Sequence, residues 1–244
     1  MAPKQTSPAL LVFTQHLNEP NPSFSARARE WSSVVLNKLD NGALGSHGVA
    51  DRSASLYTSN EHRLLTYSLT ENQELSLIEE KLKDIDFGKS TTWRLYEPLS
   101  AAIETPASKP GSIVVLNEMT PAPEFEDDFN AWYADEHIPL LSCVPGWIYS
   151  RRYRFVGRSR DAEHGSGAPP PQYLAIHVWD NDLVFNTPPY KFAVSTPWRM
   201  RVVGNVVARE RLVIEFVEDV LDEVAKNQPN RFQENERHNS LDFS

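Results

Sequence analysis

The spacing of hydrophobic residues changes several times along the first hundred positions. Short apolar runs predict strands at residues 9–13, 54–58, 64–69 and 92–96. Between them, apolar residues recur every three or four positions, which predicts one helix over residues 23–39 and another over 75–82. The first hundred residues therefore have the order strand–helix–strand–strand–helix–strand.

The same order returns in the second half of the chain. Strands are predicted at residues 112–117, 147–155, 173–179 and 210–216, with helices over 124–141 and 190–203. The first of these helices carries an aromatic stripe that consists of Phe125, Phe129, Trp132 and Tyr133. Alternation along the third strand places on one face Tyr173, Ala175, His177 and Trp179. Residues 158–171 are polar and rich in glycine and proline, which predicts an exposed loop.

Two such repeats indicate an α+β protein built from tandem ferredoxin-like halves. Each half would form a four-stranded sheet with two helices on one face. The bare faces of the two sheets would then pack together as an intramolecular dimeric α+β barrel. We place the N-terminal half at residues 1–108, the C-terminal half at 109–218, and a helical or disordered tail at 219–244.

Composition narrows the functional classes. The formal net charge of −9 argues against a nucleic-acid-binding surface and against binding to anionic membranes. No apolar run reaches membrane-spanning length, the N-terminus has no signal-peptide pattern, and Cys143 has no second cysteine to pair with. We therefore expect a cytoplasmic protein, either a monomer or a homodimer, that acts on a small molecule.

The strongest chemical signal is the cluster Asp135-Glu136-His137 near the end of the aromatic helix. On a helical wheel Glu136 falls near the centre of the apolar stripe, where a carboxylate is costly unless it is paired or lines a wet pocket. Histidine titrates near neutral pH and suits general acid–base work. However, the helix is expected to end before Pro139, and a solvated helix end would explain both side chains without any function.

Other polar and aromatic residues have two explanations each. Arg151 and Arg152 must point to opposite faces of a strand. We assign Arg152 to a pocket, where it would hold a substrate oxygen. The alternative is that it forms a structural salt bridge. Asn117 either faces a pocket mouth or belongs to the turn into Pro121. Ordinary core packing is the alternative for the proposed substrate-binding residues, which are Trp132, Tyr133, Tyr149, Tyr153, His177, Trp179 and Trp198.

Metal and cofactor signatures are not evident. Glu136 and His137 are adjacent, whereas two ligands on one helix face need a spacing of three or four residues. We find neither a glycine-rich phosphate loop nor a nucleophile elbow. The sequence therefore predicts chemistry with no metal and no organic cofactor.

The second half resembles the EthD-like family of the dimeric α+β-barrel superfamily, above all its tandem fungal form. The resemblance rests on Trp132-Tyr133, Glu136-His137-Ile138-Pro139, Val144-Pro145-Gly146-Trp147 and Arg151-Arg152-Tyr153. It implies a small-molecule pocket between the sheet and its helices. The superfamily includes polyketide cyclases, muconolactone isomerases, quinone-forming monooxygenases and small decarboxylases. Several use a pocket histidine without a cofactor, and some distant branches bind haem.

These observations lead to one hypothesis and one alternative from another class. The hypothesis is a cofactor-free lyase, cyclase or isomerase of fungal-type secondary metabolism, acting on an apolar, oxygenated polyketide- or terpenoid-like molecule. His137 would be its acid or base, Glu136 would orient His137, and Arg152 would stabilise negative charge on oxygen. The alternative is a non-catalytic small-molecule-binding or stress-associated barrel.

The first half lacks this polar cluster. When Trp31 is aligned with Trp132, Val35 and Leu36 stand opposite Glu136 and His137. We therefore expect the first half to be a structural partner. We also expect that an exposed edge of the sheet could pair with a second copy of the chain.

Overall fold

The first half contains the six predicted elements in the predicted order. The computed structural model describes residues 9–17, 24–41, 53–69, 74–88, 90–100, 106–159 and 169–220. The elements of the first half are β1 (Leu10–His16), α1 (Phe24–Asn41), β2 (Ser53–Thr58), β3 (His62–Ser68), α2 (Leu75–Lys83) and β4 (Thr91–Pro98).

The second half repeats this order with a more divided set of helices. Its strands are β5 (Ile113–Pro121), β6 (Trp147–Arg158), β7 (Tyr173–Trp179) and β8 (Val206–Asp219). Its helices are α3 (Glu126–Trp132), α4 (Ile138–Ser142), α5 (Pro188–Ala193) and α6 (Pro197–Gly204), with a π turn at Tyr133–His137 between α3 and α4. Short 3₁₀ turns lie at Pro123–Phe125 and Asp182–Asn186.

All eight strands form one closed antiparallel barrel in the order β1-β3-β2-β8-β5-β7-β6-β4. Each half supplies four neighbouring strands in the ferredoxin-like order, and the pairs β2–β8 and β4–β6 join the halves. The prediction of tandem ferredoxin-like halves in one α+β barrel is thus confirmed. The expected free sheet edge is wrong for the described strands, because closure gives each strand two partners.

Hydrophobic side chains fill two kinds of layer. One cluster lies inside the barrel and includes Leu64, Tyr96, Leu174 and Phe216, while further clusters lie between the outer face of the sheet and the helices. In the second half β7 lies between the barrel interior and the layer under the helices, and all seven of its residues are buried. This explains why the strand reads as a continuous apolar run interrupted by a single histidine.

The helices differ from the prediction at two prolines, Pro139 and Pro197. The aromatic helix continues through Pro139, because a π turn precedes it and the N–H of Ile138 donates to the carbonyl of Tyr133, five residues earlier. The predicted helix over 190–203 is instead two helices. Pro197 starts the second one, and the hydroxyl of its N-cap, Thr196, accepts a hydrogen bond from the backbone N–H of Arg199 at 3.2 Å.

Strands β6 and β8 are both longer than the sequence indicated. β6 continues to Arg158 and β8 to Asp219, so the predicted loop and tail begin later than expected. Most of the predicted loop (160–168) and of the tail (221–244) lies outside the described residues. None of the helices within the described ranges combines the length and the apolar composition that a bilayer crossing requires.

Candidate functional site

A small chamber lies in the second half between the sheet and its covering helices. Its volume is about 40 Å³, and its walls come from β5, β7, β8, the helix that runs from α3 into α4, and the segment of α5 and α6. The polar members of its wall on the buried side are Asn117, Trp132, His137, His177 and Trp179. We call this space the histidine chamber.

The π turn places His137 inside this layer. A π turn holds one more residue than an α-helical turn, so it changes which side chains after Trp132 face the sheet. His137 is 6% exposed and its ring stacks on Trp132, with 4.3 Å between centroids and 23° between planes. The ring of Tyr133 meets it edge-on at 5.4 Å. His137 therefore does not lie at a solvated helix end, which was the explanation that needed no function.

The surroundings of His137 favour a neutral imidazole. Burial lowers its pKa well below the ordinary value, and the nearby His177, Arg199 and Arg152 lower it further. The backbone carbonyl of Ala193 acts in the opposite direction. Nδ1 of His137 is buried and has no hydrogen-bond partner among the described residues. At neutral pH the ring is therefore uncharged and can exchange a proton with a bound molecule.

His177 on β7 provides a second imidazole. Its ring lies 5.7 Å from that of His137, nearly perpendicular to it. Its Nδ1 is 2.8 Å from the hydroxyl of Ser150, and that hydroxyl accepts a hydrogen bond from the indole N–H of Trp147 at 3.0 Å. Burial lowers the pKa of His177 to about 3, and Arg152 and Arg211 add to the effect. Two neutral imidazoles thus share one chamber.

The sequence did not indicate the hydrogen-bonded series that holds His177. Ser150 stands directly across from His177 in the β6–β7 register. That register is known only once the strands are paired, so spacing along the chain carried no signal for it.

Buried polar atoms without partners converge on the chamber. Within the described residues, no hydrogen-bond partner is found for Asn117 Oδ1, Trp132 Nε1, His137 Nδ1, His177 Nε2 and Trp179 Nε1. An unpaired buried polar group costs about 1–3 kcal/mol, so several at one place indicate a site that water or a ligand completes. A volume of about 40 Å³ is enough for a few waters or a small functional group.

The open side of the chamber is lined by three arginines that the sequence interpretation did not single out. Arg199 comes from α6, whereas Arg209 and Arg211 stand two residues apart on β8 and share a face. None of the three forms an ion pair with a described carboxylate. Burial lowers the pKa of Arg199, and the neighbouring charges of Arg209 and Arg211 lower it further.

Arg152 occupies a different place from the one predicted. It faces the helices as expected, but its guanidinium carbon lies 4.1 Å from the ring centroid of Tyr133 and 5.2 Å from that of Phe129. It also donates to the side-chain oxygen of Asn130 at 2.8 Å. Aromatic rings hold this cation and it is not part of the chamber wall, so its effect on the histidines is electrostatic rather than direct.

Glu136 does not orient His137. Because the π turn directs His137 toward the sheet, Glu136 lies toward the α5–α6 junction, where it accepts a hydrogen bond from the hydroxyl of Thr196. Asp135 is exposed. The predicted carboxylate–imidazole pair is therefore wrong, and the carboxylate instead ties the helix to the covering segment.

Three predicted substrate-binding residues also lie elsewhere. Tyr149 and Tyr153 point into the barrel, because an irregularity after Trp147 shifts the β6 register, and they line a separate cavity of about 280 Å³. The indole N–H of Trp198 on α6 donates to Asp128 at 2.9 Å, and the ring packs beside the chamber without lining it. Among the predicted aromatic residues, those in or against the chamber are Trp132, Tyr133, His177 and Trp179.

Neither a metal ion nor haem has a site of suitable form in this region. Within the described residues there is no group of three or more histidine, cysteine, aspartate or glutamate side chains that could hold a metal. A macrocycle is far larger than a chamber of about 40 Å³.

Comparison with known proteins adds information on architecture. No family model matches the chain, and no curated protein matches it either. Among solved structures, a protein from Fusobacterium nucleatum provisionally assigned as a monooxygenase has a TM-score of 0.52 and 9% identity, covering 88% of this chain and 94% of that one. An anthrone oxidase-like protein has a TM-score of 0.50 and 14% identity, covering 88% and 94%.

A third structure, a single-residue variant of chlorite dismutase from Candidatus Nitrospira defluvii, has a TM-score of 0.51 and 8% identity, covering 90% of this chain and 94% of that one. All three likenesses extend over almost the whole of both chains. At such low identity they establish a shared fold, while function must be argued from the site itself.

Proposed function

We propose that the histidine chamber is the active site of a cofactor-free acid–base enzyme and that the chain is a tandem EthD-like protein. The observation that supports this most strongly is the buried His137, whose Nδ1 lacks a partner among the described residues and whose ring lies 5.7 Å from that of a second buried histidine, His177. On this proposal the C-terminal half, residues 109–218, carries the chemistry and residues 1–108 support it.

The proposed reaction begins with proton transfer to His137. The imidazole takes a proton from a carbon next to a substrate carbonyl, and the electron pair of that C–H bond moves onto the carbonyl oxygen as an enolate. Stacking on Trp132 stabilises the imidazolium that forms. If the enolate is conjugated with a C=C bond, the imidazolium returns the proton to the far carbon of that system, which is an isomerisation. If the substrate carries a β-hydroxyl, the enolate electrons form a C=C bond as the C–O bond breaks, and the imidazolium protonates the leaving hydroxyl to water, which is a dehydration.

Chamber size restricts the substrate. Sites that enclose a drug-sized ligand measure about 300–1,000 Å³, whereas this chamber measures about 40 Å³. A whole polyketide or terpenoid does not fit, so such a molecule would insert only a small oxygenated end and leave the remainder at the arginine side. The setting in fungal-type secondary metabolism is proposed from the EthD-like resemblance.

Carbon-bound hydrogen exchange tests the proposal without knowledge of the natural product. Small ketones and oxo acids are incubated with the protein in D₂O, and loss of the proton next to the carbonyl is followed by NMR. The native protein is expected to accelerate exchange, and His137→Gln is expected to lose at least about a hundredfold of that acceleration. His16→Gln changes an exposed histidine at the end of β1 and serves as the control. Equal exchange by native protein and His137→Gln would rule out His137 as the base.

A second candidate function rests on the larger cavity, which opens at one end of the barrel interior. Tyr57, Tyr149 and Tyr153 line this space of about 280 Å³ together with several serines. Such a space suits non-catalytic binding of a small polar molecule. If binding there is the main function, ligands will stabilise native protein and His137→Gln equally, and Tyr149→Phe will weaken the stabilisation.

A further inference from the structure

We propose that Arg199, Arg209 and Arg211 bind a carboxylate of the substrate at the open side of the histidine chamber. We call these residues the arginine triad. This inference rests on the proposed function and deepens it, because it names the chemical class of the substrate and the part of the site that recognises it.

The arginine triad is built by two elements that meet over the chamber. Residues 209 and 211 share the helix-facing side of β8, and Arg199 approaches from α6. Glu210, between them in sequence, points to the other face and pairs with Arg94 at 2.8 Å. The carboxylate nearest in sequence is therefore already used on the opposite side of the sheet.

The local charge is opposite to that of the whole protein. The chain has a formal net charge of −9, yet three arginines gather here without an ion pair to any described carboxylate. Like charges held close together raise the free energy of the site, and a bound anion lowers it. A guanidinium can also hold both oxygens of a carboxylate at once.

Unpaired groups inside the chamber point to the same ligand class. The indole N–H groups of Trp132 and Trp179 can only donate, and both are unpaired within the described part of the chain. Together with the arginines they supply many hydrogen-bond donors, beside the unpaired acceptor atoms Asn117 Oδ1 and His137 Nδ1. A ligand rich in acceptor oxygens, such as an oxo acid, satisfies these donors better than an amine or a hydrocarbon.

Carboxylate binding would also make His137 more basic. Arg199 is one of the charges that hold the imidazole neutral. An anion beside Arg199 offsets that charge and favours the imidazolium. The substrate would thus raise the basicity of the group that takes its proton, which couples recognition to chemistry.

Paired ligands that differ only in charge test this inference. Acetate and benzoate are compared with acetamide and benzamide at constant ionic strength, with tryptophan fluorescence as the readout because Trp132 and Trp179 line the chamber. The carboxylates should bind at least about tenfold tighter than the amides. Arg199→Gln and Arg211→Gln should each remove most of this difference. Lys191→Gln, which removes an exposed charge from α5 in the same covering segment, should preserve it.

Failure of this inference differs from failure of the proposed function. If carboxylates and amides bind alike, or if Arg199→Gln and Lys191→Gln behave alike, the carboxylate assignment is wrong even when His137 still catalyses exchange. His137→Gln keeps all three arginines, so it should still prefer benzoate over benzamide even though it loses exchange. Near-ultraviolet circular dichroism of each variant confirms that the folded state is the one compared.

Discussion

The two halves of the barrel use the layer between sheet and helices in opposite ways. In the first half α1 is regular, and Val35 and Leu39 are fully buried in a continuous apolar cluster. In the second half the corresponding helix contains a π turn, and His137 lies close to the sheet. The same topology thus forms a filled core in one half and a chamber in the other.

The indole nitrogens of the two aligned tryptophans, Trp31 and Trp132, differ in the same way. The indole N–H of Trp31 donates to the hydroxyl of Thr91 at 3.1 Å, so the buried group is satisfied. The indole N–H of Trp132 is buried and finds no partner among the described residues. A layer in which the buried indole N–H is paired is suited to support, whereas one in which it stays unpaired among the described residues is suited to bind.

Truncation of one leucine in each half should give the largest difference in stability. Leu39→Ala removes a fully buried side chain from a filled core, and we expect a loss toward the upper end of about 2–5 kcal/mol. Leu141→Ala enlarges a space that is already open and should fall toward the lower end. Urea unfolding of both variants measures this; equal losses, or a larger loss at Leu141, would contradict the distinction between core and chamber.

The pH dependence of stability should come in part from His177. Its pKa is about 3 in the folded protein and near 6.5 when unfolded. The unfolded chain therefore binds the proton first, and stability falls as the pH decreases below 6.5. The loss should reach about 2 kcal/mol by pH 5.

Comparison with a variant isolates this contribution. His177→Gln keeps a polar side chain and cannot titrate, so the free energy of unfolding should depend less on pH between 6.5 and 5 than in the native protein. Parallel curves for His177→Gln and native protein would show that His177 is not a buried neutral group.

The smallest expected effect concerns the two tryptophans. Trp31→Phe deletes a hydrogen bond and leaves Thr91 without its donor, which should cost about 1 kcal/mol beyond the change in packing. Trp132→Phe deletes an N–H that is already unpaired among the described residues, so the corresponding cost should be absent. The two variants are compared by their urea unfolding midpoints, provided that the dependence of unfolding free energy on urea is the same in both. An equal loss of stability in both variants would contradict the view that the indole N–H of Trp132 is unpaired.

Hydrophobic periodicity was sufficient to predict the fold. The strands and helices follow from alternation and from three- to four-residue spacing, and the repeated order led directly to two ferredoxin-like halves. The barrel was predicted, but the strand pairs that close it, β2–β8 and β4–β6, were not, because they depend on contacts between residues far apart in sequence. That is why a free edge was expected and none is present among the described strands.

The candidate site was predictable only in part. His137 was identified by its residue type beside an apolar stripe, but a helical wheel assumes regular geometry and therefore placed Glu136 nearer the sheet than the π turn allows. The arginine triad combines one residue of α6 with two of β8. No local pattern links these positions, so only the folded chain brings them together.

The most direct test is the titration of the His137 ring, followed by NMR with His137→Gln used to assign its signal. A buried neutral base should keep the spectrum of an uncharged imidazole well below pH 6.5. On addition of benzoate, its titration should move to higher pH. A ring that titrates near 6.5 in the free protein, as an exposed histidine does, would contradict the assignment of His137 as a neutral base inside the chamber.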